Sequence, residues 1–347
     1  MLLEGIFPAA TTPFYPDGRL YLKKLEHNVD RYSRTPVAGI VILGSTGEAM
    51  MLGDEESRQV LHTAREAASP EKVLIAGVAR ESVAETLRLA EYAAEQQYDA
   101  VLVRTPSYYS YGSLEMLTYY RAVADRSALP VIVYSIPRFT RYEIPVDLVA
   151  ELAQHANIIG MKDSSSSVER IAALAAATRN AARREVMVTP TFAAYTGRMI
   201  LAESMIENFV AIESLGGTVA TAPPPVRVKV MRKKEVGFQI LTGSASQLAD
   251  SLNAGASGGI LALAACAPQA CQEIYTAWKE NDPALAASKQ QRVERASREV
   301  LGKLGIPGIK HACDLNGYYG GRSRLPLLPL DSGQQAEVAR LMSVLRN

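Results

Sequence analysis

The segment PVIVYSIPRFTRYEIPVDLVAELAQHANIIGMKDSS, residues 130–165, contains two short apolar runs separated by a longer stretch. The runs at 130–137 and 157–165 are continuous and rich in Val and Ile, which is typical of strands that are covered on both faces. The stretch between them is long enough for a helix, as a connection between parallel strands requires. The segment therefore predicts a strand, a helix and a second parallel strand.

The same alternation recurs along the whole chain. Amphipathic stretches such as 54–68 and 82–97 follow apolar runs, and no Gly-x-Gly-x-x-Gly motif follows the first run, which disfavours a doubly wound sheet. Eight strands that mostly precede a helix predict an α/β fold, a (β/α)8 TIM barrel. The predicted strands lie within residues 5–14, 38–46, 73–79, 100–106, 130–137, 157–165, 238–244 and 258–265.

Two segments depart from this pattern. We predict a barrel at 1–265 with an insertion at about 180–236, between barrel helix 6 and strand 7, followed by a C-terminal helical domain at 266–347. The insertion includes a predicted helix at 192–209 and a basic segment at 227–234. An insertion between a helix and the next strand lies on the N-terminal face of a barrel, away from the chemistry. It is either a surface extension or an oligomer contact.

The composition is that of an ordinary globular protein. Of 347 residues, 48% are hydrophobic and 21% charged, and 37 basic residues balance 36 acidic ones. This balance gives no electrostatic reason to expect nucleic acid or an anionic membrane as a partner. Three cysteines without a CxxC pair indicate reduced thiols, and neither a signal peptide nor a membrane-spanning stretch is predicted. We expect a cytoplasmic protein.

Polar residues follow several predicted strands: GSTGE at 44–48, TPSYY at 105–109, YSIP at 134–137 and KDS at 162–164. In a TIM barrel, catalytic residues come from the C-terminal ends of the strands and from the loops that follow them. These four motifs are therefore predicted to meet in one site.

Lys162 ends an apolar run, and a buried lysine is costly. Either it pairs with Asp163 or reaches the surface, or its amine is kept partly neutral to attack a carbonyl as a Schiff-base nucleophile. Tyr134, at the same depth on the neighbouring strand, is placed to relay protons. The hydroxyls of Ser45 and Thr46, with backbone N–H groups flanked by glycine, suit a small carboxylate.

A metal-dependent reaction needs clustered His and carboxylate ligands at the strand ends. The four histidines (His27, His62, His155 and His311) fall in predicted helices or in the tail. The sequence also has no phosphate-binding P-loop and no Gly-x-Ser-x-Gly motif. We expect no metal and no cofactor.

In combination, GSTGE at 44–48, Tyr134 in YSIP and Lys162 in GMKDSS resemble the dihydrodipicolinate synthase / N-acetylneuraminate lyase superfamily of pyruvate-dependent class I aldolases. The resemblance covers nearly the whole chain apart from about 180–236. It implies a barrel with a C-terminal helical domain, assembled as a homotetramer or dimer. It also implies a 2-oxo acid such as pyruvate and an aldehyde as the small-molecule partners.

The resemblance further implies individual roles. Lys162 would be the Schiff-base lysine, Tyr134 the proton relay, and Ser45 and Thr46 the carboxylate ligands. Tyr108 matches a tyrosine that is contributed across a subunit interface. The other substrate-binding positions implied are Gly243 and Ile260, and the similarity to the 4-hydroxy-2-oxoglutarate aldolases adds Ser164.

Four segments (134–147, 155–171, 240–248 and 304–327) are similar to the 4-hydroxy-2-oxoglutarate aldolases. The implied reaction is cleavage of 4-hydroxy-2-oxoglutarate to pyruvate and glyoxylate. One alternative is 4-hydroxy-tetrahydrodipicolinate synthase, which condenses pyruvate with aspartate semialdehyde. A sugar-acid aldolase or dehydratase and a non-catalytic keto-acid-binding relative are the others.

The sequence departs from the synthase pattern after Pro137. The synthases carry an arginine two residues after this proline, whereas Arg138 follows it directly and Phe139 comes next. In a strand-like segment a shift of one residue reverses the side-chain direction. The segment GSAS at 243–246 lacks the synthases' acidic residues, although Thr46 matches the synthases rather than the asparagine of the 4-hydroxy-2-oxoglutarate aldolases. We hypothesise that Arg138 binds the distal carboxylate of a dicarboxylic substrate.

Overall fold

The eight apolar runs form eight parallel strands in the computed structural model, which describes residues 1–188 and 233–345. Two further strands, β7 and β8, lie outside the barrel. In chain order the strands are β1 (Gly5–Pro8), β2 (Gly39–Ile42), β3 (Val73–Gly77), β4 (Ala100–Arg104), β5 (Val131–Ser135), β6 (Ile158–Asp163), β7 (Arg184–Met187), β8 (Lys233–Val236), β9 (Gln239–Thr242) and β10 (Gly258–Leu261).

The barrel strands follow the order β1-β10-β9-β6-β5-β4-β3-β2, and backbone contacts between β1 and β2 complete the ring. The N–H of Ala10 donates to the carbonyl of Val41 at 3.0 Å, and that of Ala38 to the carbonyl of Ile6 at 2.9 Å. The predicted TIM barrel is confirmed.

Helices surround the barrel because each presents an apolar side to the outer faces of the strands. Serine caps start two of them: Ser82 and Ser167 accept hydrogen bonds from the N–H groups of Glu85 and Arg170. Inside the barrel, a separate hydrophobic cluster that includes Tyr134 and Ile260 fills the interior. The surrounding helices are Leu22–Ser33, Asp54–Ala67, Val83–Glu95, Ser113–Arg126, Val146–Leu152, Val168–Ala177 and Leu248–Asn253, with a short helix at Pro137–Thr140.

The chain continues after β10 as a set of helices, as predicted. Asn316 connects this region to the barrel end, because its side-chain amide donates to the carbonyls of Cys266 at 2.9 Å and Leu345 at 3.0 Å. The boundary at residues 265 and 266 stays a prediction. The C-terminal helices are Pro268–Lys279, Pro283–Ala296, a π-helical stretch at Ser297–Lys303, Gly305–Leu315 and Ser332–Met342.

The two ends of the predicted insertion meet as the antiparallel pair β7 and β8. The Arg184 guanidinium donates to the carbonyls of His155 and Ile158, near the start of β6, so this pair lies at the N-terminal end of the barrel. The predicted helix at 192–209 lies outside the described residues, as does most of the basic segment at 227–234. Among the described residues, none of the helices combines the length and the hydrophobicity of a membrane-spanning segment.

Candidate active site

Lys162 and Tyr134 lie side by side at the C-terminal end of the barrel. Their Cα atoms pair in the register of β5 and β6, so both side chains point to the same side of the sheet. Both residues are buried, with 6% and 4% of their surface exposed. The Lys162 Nζ atom lies 4.2 Å from the centroid of the Tyr134 ring. A lysine amine therefore stands against the face of a phenol inside the barrel mouth.

Asp163 does not pair with Lys162. Successive side chains of a strand point to opposite faces, so Asp163 faces the surrounding helices. There its carboxylate is 2.8 Å from the Arg170 guanidinium, and both side chains are buried. Within residues 1–188 and 233–345, no carboxylate forms an ion pair with Lys162. The structural alternative for Lys162, an ion pair with Asp163, is wrong.

Ser45 and Thr46 lie in a 3₁₀ turn, Ser45–Gly47, that follows β2. The N–H of Gly47 donates to the Gly44 carbonyl at 3.0 Å, which closes the turn. The Ser45 hydroxyl is 3.4 Å from the Tyr134 hydroxyl. Thr46, the next residue, is buried. The turn thus brings hydroxyl and N–H donors to the site of Tyr134 and Lys162.

Ser164 and Gly243 meet on the other side of the site. The N–H of Gly243 donates to the Asp163 carbonyl at 2.6 Å, and the N–H of Ser164 donates to the Ser135 carbonyl at 3.0 Å. A Cβ atom at position 243 would lie 2.0 Å from the Ser164 hydroxyl oxygen, so only glycine fits there. Ile260, on β10, is fully buried in the interior cluster that contains Tyr134.

Arg138 lies in a helix, Pro137–Thr140, and the strand-like geometry assumed for this segment is wrong. Proline is favoured at the first position of a helix, where its missing N–H is not needed. A shift of one residue therefore turns the side chain by about 100° instead of reversing it. The Arg138 guanidinium donates to the Gly302 carbonyl at 3.0 Å. It lines a cleft with Arg298 and with Gly243, Ser244 and Ser246.

Tyr108 lies on the surface, with 80% of the residue exposed, whereas Lys162 is buried. Its backbone N–H donates to the Glu81 carboxylate at 3.0 Å, and that of Ser107 donates at 2.9 Å. Burial acts to raise the pKa of the Glu81 carboxyl, but these hydrogen bonds and the Arg104 guanidinium outweigh it and hold that pKa below its usual value. Glu81 thus fixes the loop that presents Tyr108 on the surface.

Arg104 is a site residue that the sequence interpretation missed. It ends β4 in register with Tyr134, and it lines a small cavity together with Tyr134 and Ser45. Its guanidinium lies 2.9 Å from the Glu81 carboxylate and donates to the Thr105 carbonyl at 2.6 Å. The sequence contains a signal for it, because Arg104, like Lys162, is a charged residue at the end of an apolar strand.

Known proteins are similar to this chain over nearly its whole length. The model of the dihydrodipicolinate synthetase family matches residues 2–183 and 192–345. A 4-hydroxy-tetrahydrodipicolinate synthase from Methanothrix thermoacetophila is 25% identical over 342 residues, which cover 99% of this chain and 97% of the relative. One from Xanthomonas campestris is 36% identical over 176 residues, 51% of this chain and 58% of the relative.

Solved structures show the same architecture. A prophage protein of the dihydrodipicolinic acid synthase family from E. coli K12, in complex with pyruvate, superposes with a TM-score of 0.79 at 25% identity, covering 99% of each chain. N-acetylneuraminate lyase from Mycoplasma synoviae superposes with a TM-score of 0.74 at 22% identity, covering 99% of this chain and 97% of the other. The second likeness concerns the fold alone.

Proposed function

The chain belongs to the dihydrodipicolinate synthetase family of aldolases and lyases, and we propose that it acts through an imine between Lys162 and a 2-oxo acid. The main support for this proposal is the buried Lys162 amine, which faces Tyr134 and has no carboxylate partner among the described residues. The neutral amine is the nucleophilic form of a lysine, and it can attack a ketone carbon that is held beside it.

In the proposed mechanism the Lys162 amine attacks the ketone carbon of the 2-oxo acid and forms a carbinolamine. Loss of water then gives the protonated imine, which accepts the electron pair of the bond that breaks and needs no metal or cofactor for this purpose. Both steps require proton transfer at the oxygen that leaves. The Tyr134 hydroxyl serves as the relay, and the Ser45 hydroxyl, 3.4 Å from it, continues the path.

The Ser45–Thr46 turn is proposed to hold the carboxylate next to the ketone. Hydroxyl and backbone N–H donors bind a carboxylate more strongly than they bind a neutral group. Ser45 lies within reach of Tyr134, which faces Lys162. A carboxylate at the turn therefore presents the adjacent ketone carbon to the amine.

For the substrate we propose 4-hydroxy-2-oxoglutarate, which carries a second carboxylate at its far end. Arg138 and Arg298 line the cleft that continues from Gly243, and its other polar lining consists of serine and glutamine side chains. In the reaction, the C4 hydroxyl loses its proton, the C3–C4 bond breaks, and its electrons enter the imine. Glyoxylate leaves, and protonation and hydrolysis of the remaining enamine release pyruvate and regenerate Lys162.

The names of the relatives favour a second candidate, 4-hydroxy-tetrahydrodipicolinate synthase. In this reaction the pyruvate enamine on Lys162 attacks the aldehyde carbon of aspartate semialdehyde instead of releasing an aldehyde. The carboxylate of that substrate would occupy the same arginine-lined cleft. The two candidates therefore differ in the aldehyde, not in the chemistry at Lys162.

Tyr108 is proposed to serve the site of a second copy of the chain, in a homotetramer or dimer. Its exposure, together with that of Tyr109 (67%), leaves both rings available at the mouth of the barrel. Sedimentation of the wild type and of Tyr108→Ala, with activity assayed on the same samples, tests this assignment. A wild-type monomer with full activity would contradict it.

Parallel assays distinguish the substrates. We expect glyoxylate release from 4-hydroxy-2-oxoglutarate, and an Arg138→Ala variant with a KM raised about tenfold, as expected for the loss of one charge-assisted hydrogen bond. The matched control is Arg141→Ala, since Arg141 is an exposed arginine just after the same helix. Turnover of pyruvate with aspartate semialdehyde, without glyoxylate release, would favour the synthase. An unchanged KM in Arg138→Ala would contradict the role of Arg138.

A further inference from the structure

A fully buried ion pair connects the carboxylate-binding turn to the C-terminal helices. Glu48 ends the GSTGE motif, and Lys310 lies on the helix Gly305–Leu315. Neither side chain has exposed surface, and Lys310 Nζ lies 2.5 Å from Glu48 Oε1. Nζ also donates to the Arg322 carbonyl at 2.8 Å and lies 4.4 Å from the centroid of the Phe14 ring. Because desolvating two charges is costly, stability alone is a weak explanation for such a pair.

Glu48 has an unusual backbone conformation. Its φ of 54° and ψ of 32° place it in the left-handed region, which is disfavoured for residues other than glycine. Its side chain is fixed from both ends, because Oε1 faces Lys310 while Oε2 accepts a hydrogen bond from the N–H of Arg324 at 2.8 Å. Residues of the C-terminal region thus hold the carboxylate of Glu48, and through it the disfavoured backbone.

The conformation of Glu48 determines where the preceding residues lie. Its N–H donates to the Ser45 carbonyl at 3.1 Å, which ends the 3₁₀ turn that contains Ser45 and Thr46. On the barrel side, the Thr12 hydroxyl donates to the Gly47 carbonyl at 2.6 Å. Any shift of Glu48 would therefore be passed directly to Ser45 and to its 3.4 Å contact with Tyr134.

We propose that Glu48 and Lys310 are positioning residues, through which the C-terminal helices set the place of the Ser45–Thr46 turn and so the affinity for the 2-oxo acid carboxylate. This inference rests on the proposed function, since it takes Ser45 and Thr46 as carboxylate ligands and Lys162 as the imine lysine. Neither residue touches the substrate in this account.

A role in packing alone makes a different prediction. Removing a pair that only supports the fold lowers the melting temperature and the fraction of active protein. It leaves the pyruvate concentration at half-saturation unchanged in the molecules that remain folded. A positioning pair changes that concentration instead, while the amount of imine formed at saturation stays the same.

The test uses Glu48→Gln, Lys310→Met and the double variant, which leaves neither charge unpaired. Each protein is trapped with borohydride over a range of pyruvate concentrations, and the adduct is quantified by intact mass. We expect half-saturation in the double variant at a pyruvate concentration at least tenfold above that of the wild type, with an equal adduct yield at saturation. The control is Lys72→Met, which removes a half-buried lysine whose ammonium donates to the carbonyls of Thr35 and Val37, near the N-terminal end of the barrel.

The outcomes separate the two proposals. A wild type that forms no adduct on Lys162 contradicts the proposed function. A wild type that forms it, together with a folded double variant whose half-saturation is unchanged, overturns the positioning role alone. If thermal melting shows that the double variant is unfolded, Glu48→Asp decides by the same criterion. That variant keeps the charge but shortens the side chain, so the pyruvate concentration at which it is half-saturated must also rise.

Discussion

The Lys162 Nζ atom lies 4.2 Å from the centroid of the Tyr134 ring, on a strand paired in register with that of Tyr134. The amine and the phenol are therefore held together by two rigid strands and not by a mobile loop. This arrangement suits a nucleophile and its proton relay, because catalytic geometry must be kept within fractions of an ångström.

Tyr134→Phe removes the proposed relay and leaves the ring against Lys162. We expect kcat to fall by about 10²- to 10⁴-fold, the usual contribution of a positioned acid or base, while the pyruvate adduct still forms slowly on Lys162. Steady-state kinetics measures the first effect and trapping the second. The control is Tyr119→Phe, because the Tyr119 hydroxyl donates to the Arg80 carbonyl outside the site. A kcat within threefold of the wild type would remove Tyr134 from the mechanism.

Gly243→Ala should damage the substrate site through a steric clash. The added Cβ would lie 2.0 Å from the Ser164 hydroxyl oxygen and 3.1 Å from the Asp163 carbonyl oxygen, so Ser164 must move. We expect the KM for the 2-oxo acid to rise at least tenfold. Gly237→Ala is the control, since a Cβ there meets nothing within 4 Å. Equal KM values for the two variants would show that Ser164 and Gly243 do not hold the substrate.

Asp163→Asn should destabilise the fold, because it removes the buried charged partner of the Arg170 guanidinium and leaves only the exposed Glu143 carboxylate, at 3.3 Å. Breaking a buried pair by removing one partner costs about 3–5 kcal/mol in the free energy of unfolding. Combining Asp163→Asn with Arg170→Met should lower the free energy of unfolding by less than Asp163→Asn alone. Urea denaturation measures this free energy for both proteins. The exposed pair Arg121 and Glu151 is the control, for which a loss of about 0–1 kcal/mol is expected. An equally small loss in Asp163→Asn would refute the prediction.

The loop before Tyr108 should depend on pH through Glu81. The pKa of Glu81 is lowered in the folded protein, so its stabilising contribution is present above the unfolded value of about 4.3 and is lost as the pH falls through the lower folded value. Glu81→Gln lacks this contribution at every pH. We therefore expect the wild-type kcat/KM to exceed that of Glu81→Gln at pH 7, and the ratio to approach 1 in acid. The control is Glu85→Gln, since the Glu85 carboxylate pairs with Arg88 on the following helix and does not hold the loop. A ratio that does not vary with pH, or a matching effect in this control, would contradict the prediction.

Much of the fold and the centre of the site follow from the sequence. Apolar runs of strand length mark the barrel, and parallel strands bring their C-terminal ends together, so Lys162, Tyr134 and Ser45 are predicted to meet. The structure brings these three together. Strand ends were less predictable, because the runs continue into loops: β2 covers Gly39–Ile42, whereas the run covers 38–46.

The remaining features depend on tertiary contacts that a local pattern does not contain. Glu48 meets Lys310 from the opposite end of the chain, and neither residue signals the other in the sequence. The apolar run before Arg138 predicts an extended backbone that continues past it, whereas Pro137 begins a helix, so the direction of the Arg138 side chain does not follow from the pattern. Arg104 carried a usable signal, a charge at the end of a buried strand, but its partner Glu81 lies on a separate loop.

The imine on Lys162 is tested most directly by borohydride reduction in the presence of pyruvate, followed by peptide mapping of the wild type and of Lys162→Arg. We expect one reduced pyruvyl adduct per chain, located on Lys162 in the wild type and missing from the variant. An adduct on another lysine, or no adduct in folded wild-type protein at saturating pyruvate, would contradict it.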